Sequence, residues 1–347
     1  MPISHRVTAL VSAVLLCSSW TARAEMGTGT VQDPVTYQYT YKVVKDWQEG
    51  IVLDPNTGNY LITYKIDDGI FASIAFEPAT KIAPTLSWKF EDLKENGVIR
   101  YRYALSNGRE SKQGIKMFRM VVSGVAAGTL AAADNWEGSA VPTFRDSGQF
   151  LSWSCWKDPA GCSLAPGDRQ GGFVVDSNDL PGITMATIKG RARPATWIGE
   201  YEPSTPVGRQ ILDLTSTNDF VGRLAVAPRV PVPTPFDTAA VLRNIQKHVD
   251  SDLVKLGLVN PSFAAELDRW FQAAIAAASG GNLSAVRNDL NELHRLLERE
   301  HKGLDRGDEE GKDTKGRDRG RSGLIDRLAA QVLAFDLKYV EHQLRAN

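Results

Sequence analysis

The strongest constraint in this sequence is a change of period at Pro228-Arg229-Val230-Pro231-Val232-Pro233-Thr234-Pro235. Four prolines in eight residues suit neither a helix interior nor a central strand, and favour an extended, semi-rigid spacer. Before this stretch apolar residues alternate with polar ones; after it they recur every three or four residues. That order predicts a β part followed by an α part, with residues 228–236 as a linker between two domains.

In the first part, Val35-Thr36-Tyr37-Gln38-Tyr39-Thr40-Tyr41-Lys42-Val43 alternates over its whole length, as do Tyr60–Ile66 and Ile99–Leu105. Shorter runs follow at Lys116–Val122, Phe150–Trp156, Gly172–Val175 and Ile183–Lys189. Turn signals separate them: Asp54-Pro55-Asn56-Thr57-Gly58-Asn59, Ser106-Asn107-Gly108 and Leu180-Pro181-Gly182. Many short strands without crossover helices predict an antiparallel β-sandwich, Ig-like or jelly-roll, over residues 25–227. That length admits one decorated sandwich or two small ones.

In the second part, Asp237 caps a helix bearing Val241, Ile245 and Val249, which Gly257 ends. Asn260-Pro261 starts another, burying Phe263, Leu267, Trp270 or Phe271, and Ala274. Asn282 opens a third through Val286, Leu290, Leu293 and Leu297, and a last helix carries Leu328, Val332, Phe335 and Tyr339. Residues 237–347 therefore read as a small antiparallel helical bundle. Its long connection, 303–323, holds six acids, six bases and a single apolar residue, Leu304, and predicts a mobile charged loop.

The amino terminus bears on where the chain goes. His5 and Arg6 precede an apolar run from Val7 to Cys17, and Ala22-Arg23-Ala24 supplies a small-residue cleavage site. This is the layout of a signal peptide over residues 1–24, too short to remain as a membrane helix. The expected protein is exported, to the periplasm or the exterior, without a transmembrane segment after cleavage. Two cysteines then remain, Cys155 and Cys162, and an even count in an exported chain predicts a disulfide across the turn-forming Trp156–Gly161 loop.

Charge and residue type narrow the chemistry. With 40 basic and 41 acidic residues the chain offers no electrostatic footprint for nucleic acid. His248, His294, His301 and His342 all lie in the helical part, which leaves the β part without a local Ser-His-Asp triad or a His-rich zinc site. His294, Glu298 and His301 share a helical stripe and read as a solvated edge, so no metal or other cofactor is expected. The Asp54–Asn59 oxygens read as a hairpin turn rather than a calcium loop, for want of the bidentate Glu. Glu77, Glu91, Asp92, Glu137, Asp146, Glu200 and Glu202 lie among aromatic β segments, but spacing singles out no acid–base pair, and no catalytic residue is assigned.

Aromatics are the best functional signal. Trp47, Trp88, Trp136, Trp153, Trp156 and Trp197 all fall in the β part, where they fill a core or stack on a ligand. Trp153 and Trp156 flank Cys155 in the stapled loop and are the expected ligand-binding pair.

Two stretches carry family resemblances. Gly257-Leu258-Val259-Asn260, Gly281-Asn282-Leu283-Ser284-Ala285 with Leu290 and Leu293, and Leu324-Ile325 resemble the FIMAH-type helical module that ends some exported bacterial proteins. The likeness covers about residues 240–343 and implies an accessory or interaction module without catalytic residues. Tyr101–Asn107, Ser111, Gln113, Pro166-Gly167, Gly172-Phe173 and Pro181-Gly182 resemble a loose group of exported bacterial β-sandwich proteins of uncharacterised function. The expected function is a non-enzymatic exported or surface-associated binding protein that takes a polysaccharide or a surface protein. The alternative is a secreted carbohydrate-active protein, either a glycan-binding module or a carboxylate glycosidase.

Overall fold

A computed structural model describes residues 28–33, 37–45, 48–67, 70–93, 97–124, 130–142, 149–155, 163–191, 204–214, 219–300, 311–312 and 323–346. The expected signal peptide and most of the 303–323 connection lie outside these residues. The chain divides into two compact units, Met1–Thr80 with Arg191–Asp219, and Lys81–Gly190 with Phe220–Asn347.

The first unit is an antiparallel sheet of β1 (Thr28–Asp33), β2 (Tyr37–Lys45), β3 (Gly50–Leu53), β4 (Tyr60–Asp67) and β5 (Ile70–Phe76), in the order β1-β2-β5-β4-β3. Alternation puts Ile62 and Tyr64 on one face with Ile74 and Phe76. Later in the chain, α1 (Pro206–Leu212) adds Ile211 to that core, and the Thr205 hydroxyl caps the helix by accepting from Gly208 N. Asp54–Asn59 is a hairpin turn between β3 and β4, as its residues predict. Asp54 Oδ1 accepts from Asn56 N at 2.9 Å and Oδ2 from Thr57 Oγ1 at 2.6 Å.

The second unit begins with β6 (Pro84–Asp92), β7 (Ile99–Asn107), β8 (Met117–Val122), β9 (Leu130–Ala131), β10 (Glu137–Pro142), β11 (Gln149–Ser154), β12 (Arg169–Ser177) and β13 (Leu180–Lys189), and β14 (Val221–Val230) joins them. Two antiparallel sheets result, β10-β11-β8-β13-β14 and β6-β7-β12-β9. Strict alternation in β7 buries Ile99, Tyr101, Tyr103 and Leu105, while Arg100 faces Asp176 on β12 and binds it with two 2.7 Å bonds. The Tyr103 hydroxyl reaches the other sheet and donates to the Val226 carbonyl.

Helices follow the strands, in the predicted order: α2 (Thr238–His248), α3 (Pro261–Ser279), α4 (Leu283–Glu300) and α5 (Arg327–Ala346). Asp237, Asn260 and Asn282 accept from Ala240, Ser262 and Ala285 N, so all three expected caps form. The Leu258–Asn260 and Leu324–Ile325 stretches pair directly: Val259 bridges Ile325, and Asn260 N donates to the Leu324 carbonyl. Within 303–323 the described residues are Gly311-Lys312 and Gly323; Gly311-Lys312, here β15, pairs with Trp88 and Ser87 on the edge of β6.

The compact units do not follow the proline stretch, which lies inside the second unit. Here the structure departs from a boundary at 228–236. The reason is packing: the buried residues of β13, β14 and the helices belong to one continuous apolar cluster, from Leu86 and Trp153 through Ile245 to Val340. Unlike a free-standing amphipathic helix, α5 is buried on most sides. Val332 and Tyr339 face the core as predicted, but so do Ala329, Ala330, Leu333, Asp336, Leu337 and Val340. It packs against β13, α2 and α4 at once, and period alone could not count its neighbours.

Candidate functional site: a polar cleft beside Cys155

The turn between β9 and β10 and the segment entering β12 enclose an open cleft of about 200 Å³, lined by Asp134, Asn135, Trp136, Ser163, Leu164, Asp168, Arg169 and Gln170. On the first wall, Trp136 N donates to the Ala133 carbonyl at 2.9 Å, closing a β-turn whose third residue, Asn135, has φ +64°. Asparagine is among the few residues besides glycine that adopt this left-handed conformation at small cost. One side of the Trp136 indole packs on Phe173 and Phe118, at 5.1 and 6.3 Å between centroids. The residue also lines the cleft.

The second wall is held from behind by Asn107, which is buried at the end of β7. Its carboxamide nitrogen donates to the Gln113 and Leu164 carbonyls at 2.8 and 3.0 Å, and its Oδ1 accepts from Ser111 Oγ at 2.5 Å. Its backbone amide donates to the Asp168 carbonyl, and its own carbonyl accepts from Gly167 N. Gly167, at φ +92°, makes the turn that only glycine takes without strain. The residues of the β-part resemblance, Asn107, Ser111, Gln113 and Gly167, thus converge in one knot behind the cleft.

Of the expected binding pair, the structure places Trp153, and places it in the core. Trp153 is 0% exposed, stacked on Phe118 at 4.8 Å, with its Nε1 donating to the Ala131 carbonyl. Alternation along β11 turns Leu151 and Trp153 inward together, so the ring is core and presents no face to a ligand. Trp156 and Cys162 lie outside the described residues, as do Trp47 and Trp197; Trp88 is buried. Among the described tryptophans of the β part, Trp136 lines the cleft. Its signal in the sequence was the Asp134-Asn135 turn pair before it. Cys155, buried, follows β11 with its Sγ 3.4 Å from the Asn135 carbonyl oxygen, so the segment between Cys155 and Ser163 starts and ends beside the cleft.

Of the candidate carboxylates, Asp146, Glu200 and Glu202 lie outside the described residues, and Glu77 belongs to the first unit. Glu91 is paired with Arg102 at 3.0 Å, and neither it, Asp92 nor Glu137 lines the cleft. The acids there are Asp134 and Asp168, both exposed.

His301 also lies outside the described residues, and His294 Nε2 sits 3.4 Å from Glu341 Oε1. Among the described residues no group of three or more His, Cys, Asp or Glu side chains is placed to hold a metal ion, and no helix is long and apolar enough to cross a membrane. His248 carries the nearest likeness to a catalytic dyad, with Nδ1 2.9 Å from Asp252 Oδ2. Its Nε2, however, accepts from the backbone N–H of Ile183 at 3.0 Å, inside a site where the histidine is 4% exposed. With that nitrogen occupied by an amide, the dyad is a brace between α2 and β13, not a general base.

No family model, curated protein or solved structure matches the chain.

Proposed function

We propose that this chain is an exported, non-enzymatic binding protein whose β part forms a sandwich and whose helices form a docked bundle. The observation that carries the reading is the cleft itself. An indole anchored in the core is joined there by Asn135 and Gln170 amides, two carboxylates and the Arg169 guanidinium. Such a mixture sets donors and acceptors beside an indole, which suits a hydroxyl-rich ligand. It favours a glycan as the ligand, in the binding rather than the hydrolytic sense, because nothing in the cleft sets one carboxyl apart as an acid.

Export rests on the signal-peptide layout of residues 1–24, and a Cys155–Cys162 disulfide would close the short stretch between the two cysteines. The FIMAH-like helices fit an accessory role, and a protein partner on the cell surface is the competing ligand class. The deciding experiment is a fluorescence titration of the full chain with a panel of soluble polysaccharides, repeated on Trp136→Ala. A saturable change that disappears in the variant supports glycan binding. A flat response across the panel overturns the glycan reading.

A further inference from the structure

Asp336 sits on the buried helix α5 at 0% exposure, and neither of its carboxyl oxygens has a hydrogen-bond partner. Its chain neighbour Phe335 meets Phe90 of β6 edge-on at 5.0 Å. Among titratable side chains Tyr101 on β7 feels its charge, but the Tyr101 hydroxyl donates to the Asp179 carbonyl at 2.8 Å and is not available to it. Asp179 in turn is held by Ser123 Oγ and Val232 N. Several charged groups on the elements around α5 are engaged with other partners. On α2, His248 binds Ile183 and Asp252, and Arg243 reaches Ser279. On α4, His294 lies against Glu341 and Arg287 donates to the Leu344 carbonyl. On β6, Asp92 acts on the Tyr339 hydroxyl. Among the described residues no donor reaches either Asp336 oxygen, and a carboxylate without partners is among the costliest groups to bury.

We propose that Asp336 makes the seating of α5 against the sheets proton-dependent: the helix is held with this carboxyl as a neutral acid and loses its hold when the proton is removed. Burial alone pushes the group well above its ordinary 3.8. Below that ordinary value the folded and unfolded chains both keep the proton, and the site contributes no slope. Above it the unfolded chain releases the proton while the folded chain retains it. The folding constant therefore falls about tenfold per pH unit until the folded group ionises too. Acid strengthens the seat and alkali loosens it. The device is independent of any ligand in the cleft.

The test is denaturant unfolding of the full chain from about pH 5 to about pH 8, for wild type, Asp336→Asn and Asp336→Leu. The ratio of variant to wild-type folding constants is expected to grow with pH above the unfolded value, by up to about tenfold per pH unit, and to level off once the folded group ionises. Hydrogen exchange in residues 327–346, corrected for the intrinsic rate, should quicken with pH in wild type and not in the variants. A ratio that stays constant across the window overturns the proposal. If neither variant folds, a carboxyl carbon-13 titration of wild type decides. An aspartate that ionises clearly above its ordinary 3.8, together with loss of α5 protection, supports the proposal. Aspartates that all ionise at or below the ordinary value overturn it.

Discussion

The helices meet the sheets at two aspartates, and the surroundings of the two are opposite. Asp252 lies on a π-turn (Val249–Leu253) that continues α2, four residues after His248, whose Nδ1 lies 2.9 Å from its Oδ2. Arg229 on β14 reaches the same oxygen at 2.7 Å. Desolvation acts to raise the Asp252 pKa, but hydrogen bonds from His248 and Arg229 and the charge of Arg229 outweigh it and hold the carboxyl below the usual carboxylate range. Asp336 has the burial without the partners, and its shift runs the other way. The difference teaches that burial does not set the state of an acid; what waits for it in the interior does. One joint is a charge-assisted brace present over most of the pH scale, the other a seat that depends on a proton.

His248→Ala attacks the braced joint hardest. It leaves the buried Ile183 N–H without an acceptor and opens a cavity where the ring packs above Gly182. A β-carbon added at Gly182 would stand 2.8 Å from His248 Nε2. A loss of about 3 kcal/mol is expected by denaturant unfolding. A loss under about 1 kcal/mol would mean that the contact contributes little, and that the helices are held by apolar burial alone.

Asp252→Asn is the milder change, expected at about 2 kcal/mol at neutral pH, since the site is partly open to solvent. Its pH signature separates the two joints. A carboxyl with a lowered pKa contributes stability that is complete above its ordinary 3.8 and lost as pH falls through the lower folded value. Wild type should therefore lose this contribution only in strong acid, and the variant should lack that part of the acid slope. Asp336→Asn should change the slope on the alkaline side instead. Identical pH profiles for the two variants would erase the distinction.

Both joints were hard to see in the sequence, whereas much around them was plain. The alternation of β7, the caps at Asp237, Asn260 and Asn282, and the Asp54 hairpin are local statements, and local physics decides them. His248 and Asp336 take their meaning from β13 and from the core around α5, which are distant in the chain. The cleft shows the same divide. Trp153 and Trp136 both lie among short strands; parity along β11 turns Trp153 into the core, while Trp136 closes the Ala133–Trp136 turn and lines the cleft. Asn107, Gly167 and Gly182 looked like turn residues. Each has a second role that depends on long-range contact: Asn107 and Gly167 behind the cleft, Gly182 beneath the His248 ring.

The smallest expected effect on stability falls at the cleft, and it is the most informative about ligand. Asp134 is exposed on the Ala133–Trp136 turn and lines the cleft beside the indole. Asp134→Ala removes a surface carboxylate and no core contact, so stability should move by no more than about 0.5 kcal/mol. If the cleft binds hydroxyls, losing one charged acceptor should still weaken polysaccharide binding about tenfold, measured by fluorescence titration beside wild type. Unchanged affinity would remove Asp134 from the binding surface and leave the indole to act alone. Tighter binding would point to an anionic ligand, for which Asp134 is a repulsive neighbour and Arg169 the anchoring group. The helix–sheet joints respond to proton concentration through what their acids touch inside the fold; the cleft acids, open to water, should respond to what arrives from outside.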